Sequence, residues 1–292
     1  MDIIISIIFG FVQGATEFLP VSSSGHLLLL HQLFLGFELS DALAFDVALH
    51  AGTLIAVIWY FWEDCIRYAS AWWASIVNGL DRLFSKFPAT DITPDKPSKT
   101  IVYDEHIAWY IIVATIPAAL IGFFFEDLIE QYFWSTAIVT GIMFIVVGIV
   151  FILVERMDTK RFQDALVHMK WKQAIVVGLF QVLALIPGTS RSGITLVGGM
   201  IMGLTRQAAA RFSFLLSIPL IAGAGTKKGL DLLAQGINPA EIPLLFFGAL
   251  TAAVTGYIII SALLQYFSTK TLRPFAWYRI VLGAVILMIT LV

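Results

Sequence analysis

The sequence has few charged residues: Asp, Glu, Lys and Arg make up only 13% of its 292 residues, whereas a soluble domain carries about 25%. Hydrophobic residues account for 59%, and the mean hydropathy is +0.89. No soluble core could bury so much apolar surface. Apolar runs long enough to cross about 30 Å of hydrocarbon recur along the chain. The composition therefore predicts a polytopic membrane protein.

Cysteine is nearly absent, because Cys65 is the only one, and this excludes an internal disulfide framework. An excess of basic residues is also lacking, since the net charge is -2. Without a basic face to neutralise phosphates along a duplex, we expect no nucleic-acid partner. The amino terminus lacks the basic region and cleavage pattern of a signal peptide, so we expect the first apolar segment to stay in the mature protein.

The apolar runs are of two kinds. Six predict full transmembrane helices, at about 42–62, 106–125, 134–154, 207–225, 241–265 and 275–292. Two others, 2–35 and 172–204, are interrupted midway by Pro20 to His26 and by Pro187 to Gly193. Proline and Gly/Ser clusters favour turns over a continuous helix. We therefore predict two re-entrant helix–loop–helix pairs, whose irregular backbone is buried in protein or faces a wet cavity.

The chain also repeats itself weakly. Four residues recur at a displacement of 168 positions: Gly10, Gln13, Ser22 and Gly25 reappear as Gly178, Gln181, Ser190 and Gly193. Each copy continues into three spans, and an odd number of spans turns the second copy upside down. We predict an all-α fold with one membrane domain, 1–292, in which inverted repeats at about 1–155 and 172–292 bring two broken helices together.

The distribution of Lys and Arg predicts the orientation. Segments 63–105 and 155–172 are basic, whereas 126–133 carries only acidic charge. By the positive-inside rule the two basic segments face the cytoplasm and both termini are external. Lys227 and Lys228 then fall outside, against the rule. Segment 85–99 contains three prolines and predicts a flexible cytoplasmic loop.

Glu17 lies within the first apolar stretch, and Gln13 precedes it by one turn on the same helical face. An unpaired carboxylate inside a membrane costs at least roughly 2.5–3.5 kcal/mol. One interpretation is a protonated or hydrogen-bonded structural Glu. The other, which we favour, is a ligand for Mg²⁺ or Ca²⁺ that also contacts a substrate phosphate.

The two interrupting loops carry groups suited to an anion. The first provides Ser22, Ser23, Ser24 and His26 at the start of a half-helix, where unpaired N–H groups favour phosphate. Helix capping alone would explain one serine. The second loop places Arg191 among other polar residues that we assign to phosphate binding, namely Thr189, Ser190 and Ser192.

The Arg191 guanidinium matches phosphate oxygens in a bidentate manner. An internal salt bridge from Arg191 to Glu17 is the alternative, and with substrate absent both interpretations hold. An acid, hydroxyls, an imidazole and an arginine can together provide the charge neutralisation, nucleophile and proton donor of phosphoryl transfer. The sequence therefore predicts a phosphate site inside the membrane.

Other polar residues have weaker patterns. Asp46 and His50 share a helical face and form either a structural pair or a support for the site. We assign His106 and His168 no functional role. Arg206 and Arg211 flank the second hairpin, and we interpret them as interfacial anchors rather than ligands.

Two segments, Gln13 to His26 (QGATEFLPVSSSGH) and Pro187 to Gly193 (PGTSRSG), resemble the bacterial undecaprenyl-pyrophosphate phosphatase family of the bacitracin-resistance type. The resemblance extends over essentially the whole chain. It implies an enzyme of the bacterial plasma membrane that removes the terminal phosphate of undecaprenyl pyrophosphate, with its active site on the outer side. The lipid carrier would thereby be recycled for envelope polymers.

The resemblance also implies roles for individual residues. Gln13 and Glu17 match the family's metal-linked acidic motif, in which Gln13 is the weaker variant. Ser22, Ser23 and His26 match its catalytic loop, and Arg191 matches its phosphate-binding arginine. The nucleophile is Ser23, His26 or a water activated by His26, and we favour His26 as the essential proton-transfer or nucleophilic group. A homodimer is a further hypothesis.

Two other classes fit less well. Acid phosphatase-like lipid phosphatases also have a Ser-Gly-His element and a Ser-Arg element, but the His that should follow the second is Val197 here. A transporter or flippase for an anionic polyprenyl phosphate lipid would use inverted repeats and broken helices too. Transport alone gives no reason for Glu17 and His26 beside three serines.

Overall fold

The computed structural model describes residues 2–34, 42–84, 99–129, 131–132, 137–157, 165–235 and 238–291, and the regular elements in these ranges are helical. The α-helices are α1 (Asp2–Phe18), α2 (Ser23–Leu33), α3 (Ala42–Tyr60), α4 (Trp62–Phe84), α5 (Lys99–Phe124), α6 (Glu126–Ile129), α7 (Ala137–Glu155), α8 (Trp171–Leu183), α9 (Arg191–Ile201), α10 (Arg206–Gln235), α11 (Ile242–Tyr266) and α12 (Arg273–Leu291). The predicted all-α class is confirmed.

The long apolar helices provide five membrane crossings, or six if one bent pair is counted as a single span. Five helices (α5, α7, α10, α11 and α12) contain windows long and apolar enough to span a bilayer. The bent pair α3 and α4 provides the sixth if it is counted as one span. Five of the six predicted spans are thus confirmed by length and composition, and the predicted span 42–62 is confirmed only if the bent pair is counted as one span. The first residues of the predicted span 134–154, and nearly all of the predicted loop 85–99, lie outside the described residues.

Helix α4 was not predicted, because segment 63–105 was assigned as a basic loop between two spans. The chain bends by 80° after α3 and continues as α4. One side of α4 packs on the core through Tyr68 and Trp72, and Trp109 Nε1 of α5 donates a hydrogen bond to Ser75 Oγ. Charged residues such as Arg67 interrupt the apolar run, so hydropathy alone conceals a helix that buries only one face.

The two interrupted segments are helix–turn–helix hairpins. In the first, α2 returns along α1, since the Phe9 ring near the middle of α1 contacts the rings of His31 and Phe34 at 4.9 and 6.1 Å. In the second, α9 returns along α8, and Gln173 Nε2 donates to the Met202 carbonyl at 3.0 Å. The chain therefore reverses its direction at both predicted loops.

Each hairpin packs on a span from the other half of the chain. Gly10 of α1 touches α11 so closely that an added Cβ would overlap the Gly248 carbonyl oxygen. Gly178 of α8, displaced by 168 positions, meets the backbone of Ala114 in α5 in the same way, with an added Cβ at 2.8 Å. Glycine is needed here because two helix backbones touch.

A third contact joins the last helix of each half. Gly141 of α7 lies against Gly283 of α12, and Gly148 lies against Ala276, so the two helices run antiparallel. These three helix pairs form the scaffold that holds the hairpin loops together. The repeat boundaries at 1–155 and 172–292, and the inverted orientation of the copies, stay predictions.

Candidate active site

The two hairpin loops have the same backbone conformation at equivalent serines. Ser22 has φ 73° and ψ 104°, and Ser190 has φ 72° and ψ 106°. They are the only residues other than glycine with positive φ in the described ranges. Such a conformation costs on the order of 1–3 kcal/mol and persists where surrounding structure enforces it, commonly at functional sites. Each serine immediately precedes a helix start.

Hydroxyl groups cluster at both helix starts. Ser22 Oγ lies 3.1 Å from Ser24 Oγ, and Ser190 Oγ lies 3.2 Å from Ser192 Oγ. Ser190 Oγ also accepts a hydrogen bond from the Gly193 amide. Ser192 Oγ donates to the Leu19 carbonyl at 3.0 Å. This last bond ties the second loop directly to the first.

Glu17 is the centre of the contacts between the hairpins. Arg191 Nη2 donates to Glu17 Oε1 at 2.9 Å, and Ser23 Oγ donates to Glu17 Oε2 at 2.7 Å. Gln13 Nε2 lies 3.2 Å from the same Oε2. The side chains of Glu17 and Arg191 are only 8% and 10% exposed. The fold thus brings four of the predicted site residues together, and the alternative of an internal salt bridge is the arrangement observed.

Arg191 is held from a second direction. Its Nη1 donates to the Ser213 carbonyl in α10 at 3.0 Å. The Ser213 hydroxyl lies 2.6 Å from Thr195 Oγ1, one turn after Arg191. Ser213 was not predicted, because nothing in the local sequence of α10 indicates a contact with the second loop.

His26 lies apart from the Glu17 cluster. Its Nδ1 is 2.7 Å from the Ser22 carbonyl oxygen, and its Nε2 is 2.6 Å from the hydroxyl of Tyr278. A carbonyl only accepts, so Nδ1 carries the hydrogen and Nε2 accepts from Tyr278. The ring nitrogens therefore contact neither Glu17 nor Arg191, and Tyr278 is a neighbour that the sequence analysis missed.

Arg279 is a second missed residue. It is fully buried although it lies in the predicted span 275–292. Its Nη1 donates to the Pro20 carbonyl at 3.3 Å, and its Nη2 donates to the Gly188 carbonyl at 2.7 Å. An arginine in the middle of an apolar run is itself a signal of function or of a buried partner, and this signal was available in the sequence.

The predicted pair of Asp46 and His50 is only partly correct. The Asp46 carboxylate lies 3.3 Å from His31 Nε2, and His50 Nδ1 bonds to the Asp46 backbone carbonyl. His50 Nε2 is 3.8 Å from Glu17 Oε2. His50 therefore lies beside the Glu17 cluster, as the second interpretation expected, and the side-chain pair is wrong.

Arg206 and Arg211 form ion pairs within the protein. Arg206 contacts the buried Glu155 through two nitrogens, at 2.6 and 2.8 Å. Arg211 pairs with Asp64. Both are held by acids of other helices, and their assignment as interfacial anchors rather than ligands stays a prediction.

A divalent cation would find few ligands here without substrate. Within the described ranges no three His, Cys, Asp or Glu side chains are grouped for a metal. Gln13 Oε1, however, is buried without a hydrogen-bond partner beside Glu17. Mg²⁺ is typically held by one or two carboxylates together with substrate phosphates. The oxygens of Glu17 and Gln13 fit that kind of site, with the remaining ligands from a phosphate.

The chain also matches a known protein family. Residues 6–285 match the model of the family described as Bacitracin resistance protein BacA. The chain belongs to this family. The matched range includes both hairpin loops, Tyr278 and Arg279.

Three similar proteins share the name undecaprenyl-diphosphatase. The BacA-family chain is similar to the undecaprenyl-diphosphatase of Trichlorobacter lovleyi, with 40% identity over 97% of this chain and 95% of the relative. Proteins of the same name from Thermomicrobium roseum and Alteromonas mediterranea are 42% and 43% identical, and the alignments cover 97% and 96% of this chain and 96% of each relative.

Proposed function

We propose that this BacA-family protein is an integral membrane undecaprenyl-diphosphatase, which hydrolyses undecaprenyl pyrophosphate to undecaprenyl phosphate and inorganic phosphate. The contact between Glu17 and Arg191, with Ser23 on the same carboxylate, carries the proposal. A buried acid, hydroxyl and guanidinium placed at two helix starts suit a phosphoric anhydride. The family and the names of its relatives support the lipid substrate.

The headgroup would bind between the two helix starts. Arg191 is the main anion ligand, because its fork matches two phosphate oxygens. Hydroxyl groups around it supply neutral donors, namely those of Ser22, Ser24, Thr189, Ser190 and Ser192. Thr189 Oγ1 is buried and has no hydrogen-bond partner among the described residues, which leaves it available to a phosphate oxygen.

Glu17 and Gln13 would hold a divalent cation, Mg²⁺ or Ca²⁺, together with substrate oxygens. The bound cation would neutralise charge on the diphosphate. Diphosphate binding draws Arg191 toward the substrate, and this frees one Glu17 oxygen. The unpartnered Gln13 Oε1 supports this assignment.

Ser23 and His26 would carry the proton chemistry. Ser23 Oγ donates to Glu17 at 2.7 Å, so its proton already points at a carboxylate, and this favours Ser23 as the attacking oxygen. Its attack on the terminal phosphorus would break the bond to the bridging oxygen and release the lipid phosphate, and water would then hydrolyse the phosphoserine to free serine and inorganic phosphate. His26 presents an Nε2 lone pair that Tyr278 occupies. A histidine in this tautomer can accept a proton at Nε2, for example from an attacking water. It can then donate that proton to the leaving oxygen. Catalytic roles therefore fall on Ser23, His26, Glu17 and Arg191.

The chain is a multi-pass membrane protein, in keeping with its apolar helices and its family. We further propose the bacterial plasma membrane, with both termini and the active site on the outer side. A homodimer stays a prediction, as does the absence of a nucleic-acid partner.

The decisive experiment incubates the purified protein with a polyprenyl pyrophosphate, with and without a chelator, and measures free phosphate. We expect release that needs the divalent ion and no ion gradient. The same protein in liposomes distinguishes the transporter alternative. Movement of the lipid phosphate between leaflets without phosphate release would overturn the enzyme.

A further inference from the structure

Arg279 connects the two hairpin loops at equivalent positions. Pro20 and Gly188, whose carbonyls accept from its two terminal nitrogens, are displaced by 168 positions, the same displacement that relates Ser22 to Ser190. Each carbonyl lies two residues before the serine with positive φ. A single guanidinium therefore holds the same peptide group in both loops.

The surroundings of Arg279 fix the guanidinium in place. Its Nη2 also donates to the Met143 carbonyl of α7 at 3.2 Å. Its guanidinium carbon lies 4.9 Å from the ring centroid of Phe144 and 5.5 Å from that of Phe151. Both phenylalanines belong to α7 and contribute cation–π attraction to a desolvated charge. These contacts with α7 therefore keep the guanidinium in one position, independently of the two loops.

The same phenylalanines lie directly under the helix starts. A Cβ added to Gly25 would overlap Phe144, and one added to Gly193 would come within 2.7 Å of Phe151. Gly25 and Gly193 are again equivalent positions in the two loops. Arg279 packs on both rings, and both rings pack on the helix starts. Arg279 therefore helps to position both helix starts as well as the carbonyls that precede them.

We propose that Arg279 is a positioning residue for phosphate transfer: by joining Pro20 and Gly188 it fixes the separation of the two loops that face the diphosphate. The inference rests on the proposed function and adds a residue that contacts loop backbone rather than substrate. Displacement of a reacting group by about 1 Å can lower a rate about 100-fold, so this separation governs turnover.

Three variants of the full chain in detergent test the proposal. Arg279→Met removes both donors but keeps an apolar stem. Arg279→Lys keeps the charge, yet a single ammonium lacks the planar fork that reaches two carbonyls. Arg273→Met is the matched control, since Arg273 begins the same helix and is exposed. The readouts are kcat and KM for a polyprenyl pyrophosphate, thermal stability, and hydrogen–deuterium exchange of residues 19–25 and 187–193.

We expect kcat to fall about 100-fold in Arg279→Met while KM changes by less than about threefold. Hydrogen–deuterium exchange should rise in both loops together. It should stay unchanged at the backbone amides of α7 and α12. Arg279→Lys should recover thermal stability but not kcat, a separation that a purely structural role would not give. Arg273→Met should match the wild-type protein in every readout.

Other outcomes overturn the proposal. Wild-type kcat in either Arg279 variant would do so, as would faster exchange in only one loop. Failure of both variants to fold would assign Arg279 to the fold alone. A wild-type protein that releases no phosphate would instead refute the proposed function. The exchange measurement would then still report whether Arg279 couples the loops.

Discussion

Arg191 Nη2 and Glu17 Oε1 form a 2.9 Å ion pair between residues 174 positions apart in the chain. Both side chains are nearly inaccessible to solvent, so each charge is compensated mainly by the other. The pair closes the site from the two hairpins at once. Under the proposed function, a diphosphate that binds Arg191 would compete with Glu17, and we expect the site to rearrange when substrate enters.

Removal of Arg191 should lower both activity and stability. We expect Arg191→Ala to lower phosphate release by several orders of magnitude, because no other guanidinium contacts Glu17 in the described ranges. The variant should also lose about 3–5 kcal/mol of stability, since Glu17 is left buried and unpaired. Phosphate release and the thermal midpoint in detergent measure the two effects.

The double variant Glu17→Gln with Arg191→Met is the informative companion to Arg191→Ala. It removes both charges and should regain most of the lost stability while remaining inactive. Arg156→Ala is the matched control, since Arg156 is exposed at the end of α7. Near-normal turnover by Arg191→Ala would contradict its assignment as the phosphate ligand.

Tyr278 should matter through His26. We expect Tyr278→Phe to lower kcat about fivefold, because one hydrogen bond of roughly 1 kcal/mol orients the ring. His26→Ala should lower it by several orders of magnitude with the fold intact. The control is Tyr257→Phe in α11, whose ring contacts Trp59 away from the loops. An equal loss of kcat in Tyr278→Phe and Tyr257→Phe would show that Tyr278 has no specific role in catalysis.

Gln13 should set the affinity for the divalent cation. Gln13→Glu replaces the Nε2 that donates to Glu17 with a second carboxylate oxygen, and two adjacent carboxylates favour a divalent cation, so the metal concentration for half-maximal phosphate release should fall by about tenfold. Gln13→Leu removes the oxygen and should raise that concentration. Titration of chelated enzyme with Mg²⁺ and Ca²⁺ measures both shifts. An unchanged titration in both variants would remove Gln13 from the metal site.

Gly193 should tolerate no side chain. A Cβ there would lie 2.7 Å from Phe151 and 3.3 Å from Pro20 Cβ, so Gly193→Ala should cost about 1–3 kcal/mol by overpacking. Turnover should fall as well, because the added methyl group pushes the loops apart. Gly223→Ala in α10 is the control, since nothing lies within 4 Å of its added Cβ. We expect that variant to be neutral or slightly more stable, and an equally stable Gly193→Ala would disprove the tight packing.

The sequence predicted the parts of the site that are close along the chain. Glu17 and Ser23 lie six positions apart, so their proximity follows from one helix end and a short loop. Proline and glycine likewise marked both hairpin turns. The ion pair between Glu17 and Arg191 was foreseen only as an alternative, because no local pattern decides whether an arginine binds a distant acid or a ligand.

Contacts of α12 were harder to predict. Tyr278 and Arg279 meet residues 252 and 259 positions earlier, and helix periodicity carries no information about such pairings. Only the cost of an arginine within an apolar span indicated that Arg279 has a partner. Helix α4 was missed for the opposite reason, since its charged face lowers the hydropathy of a segment that is nonetheless helical.

The 80° bend between α3 and α4 has a consequence for the surrounding lipid. If α3 alone crosses the bilayer, instead of the bent pair forming one span, α4 would run nearly in the membrane plane, and its 23 residues would extend roughly 35 Å at about 1.5 Å per residue. The protein then displaces more lipid from one leaflet than from the other. Its insertion and turnover should consequently respond to membrane curvature and to an imbalance in lateral pressure between the leaflets.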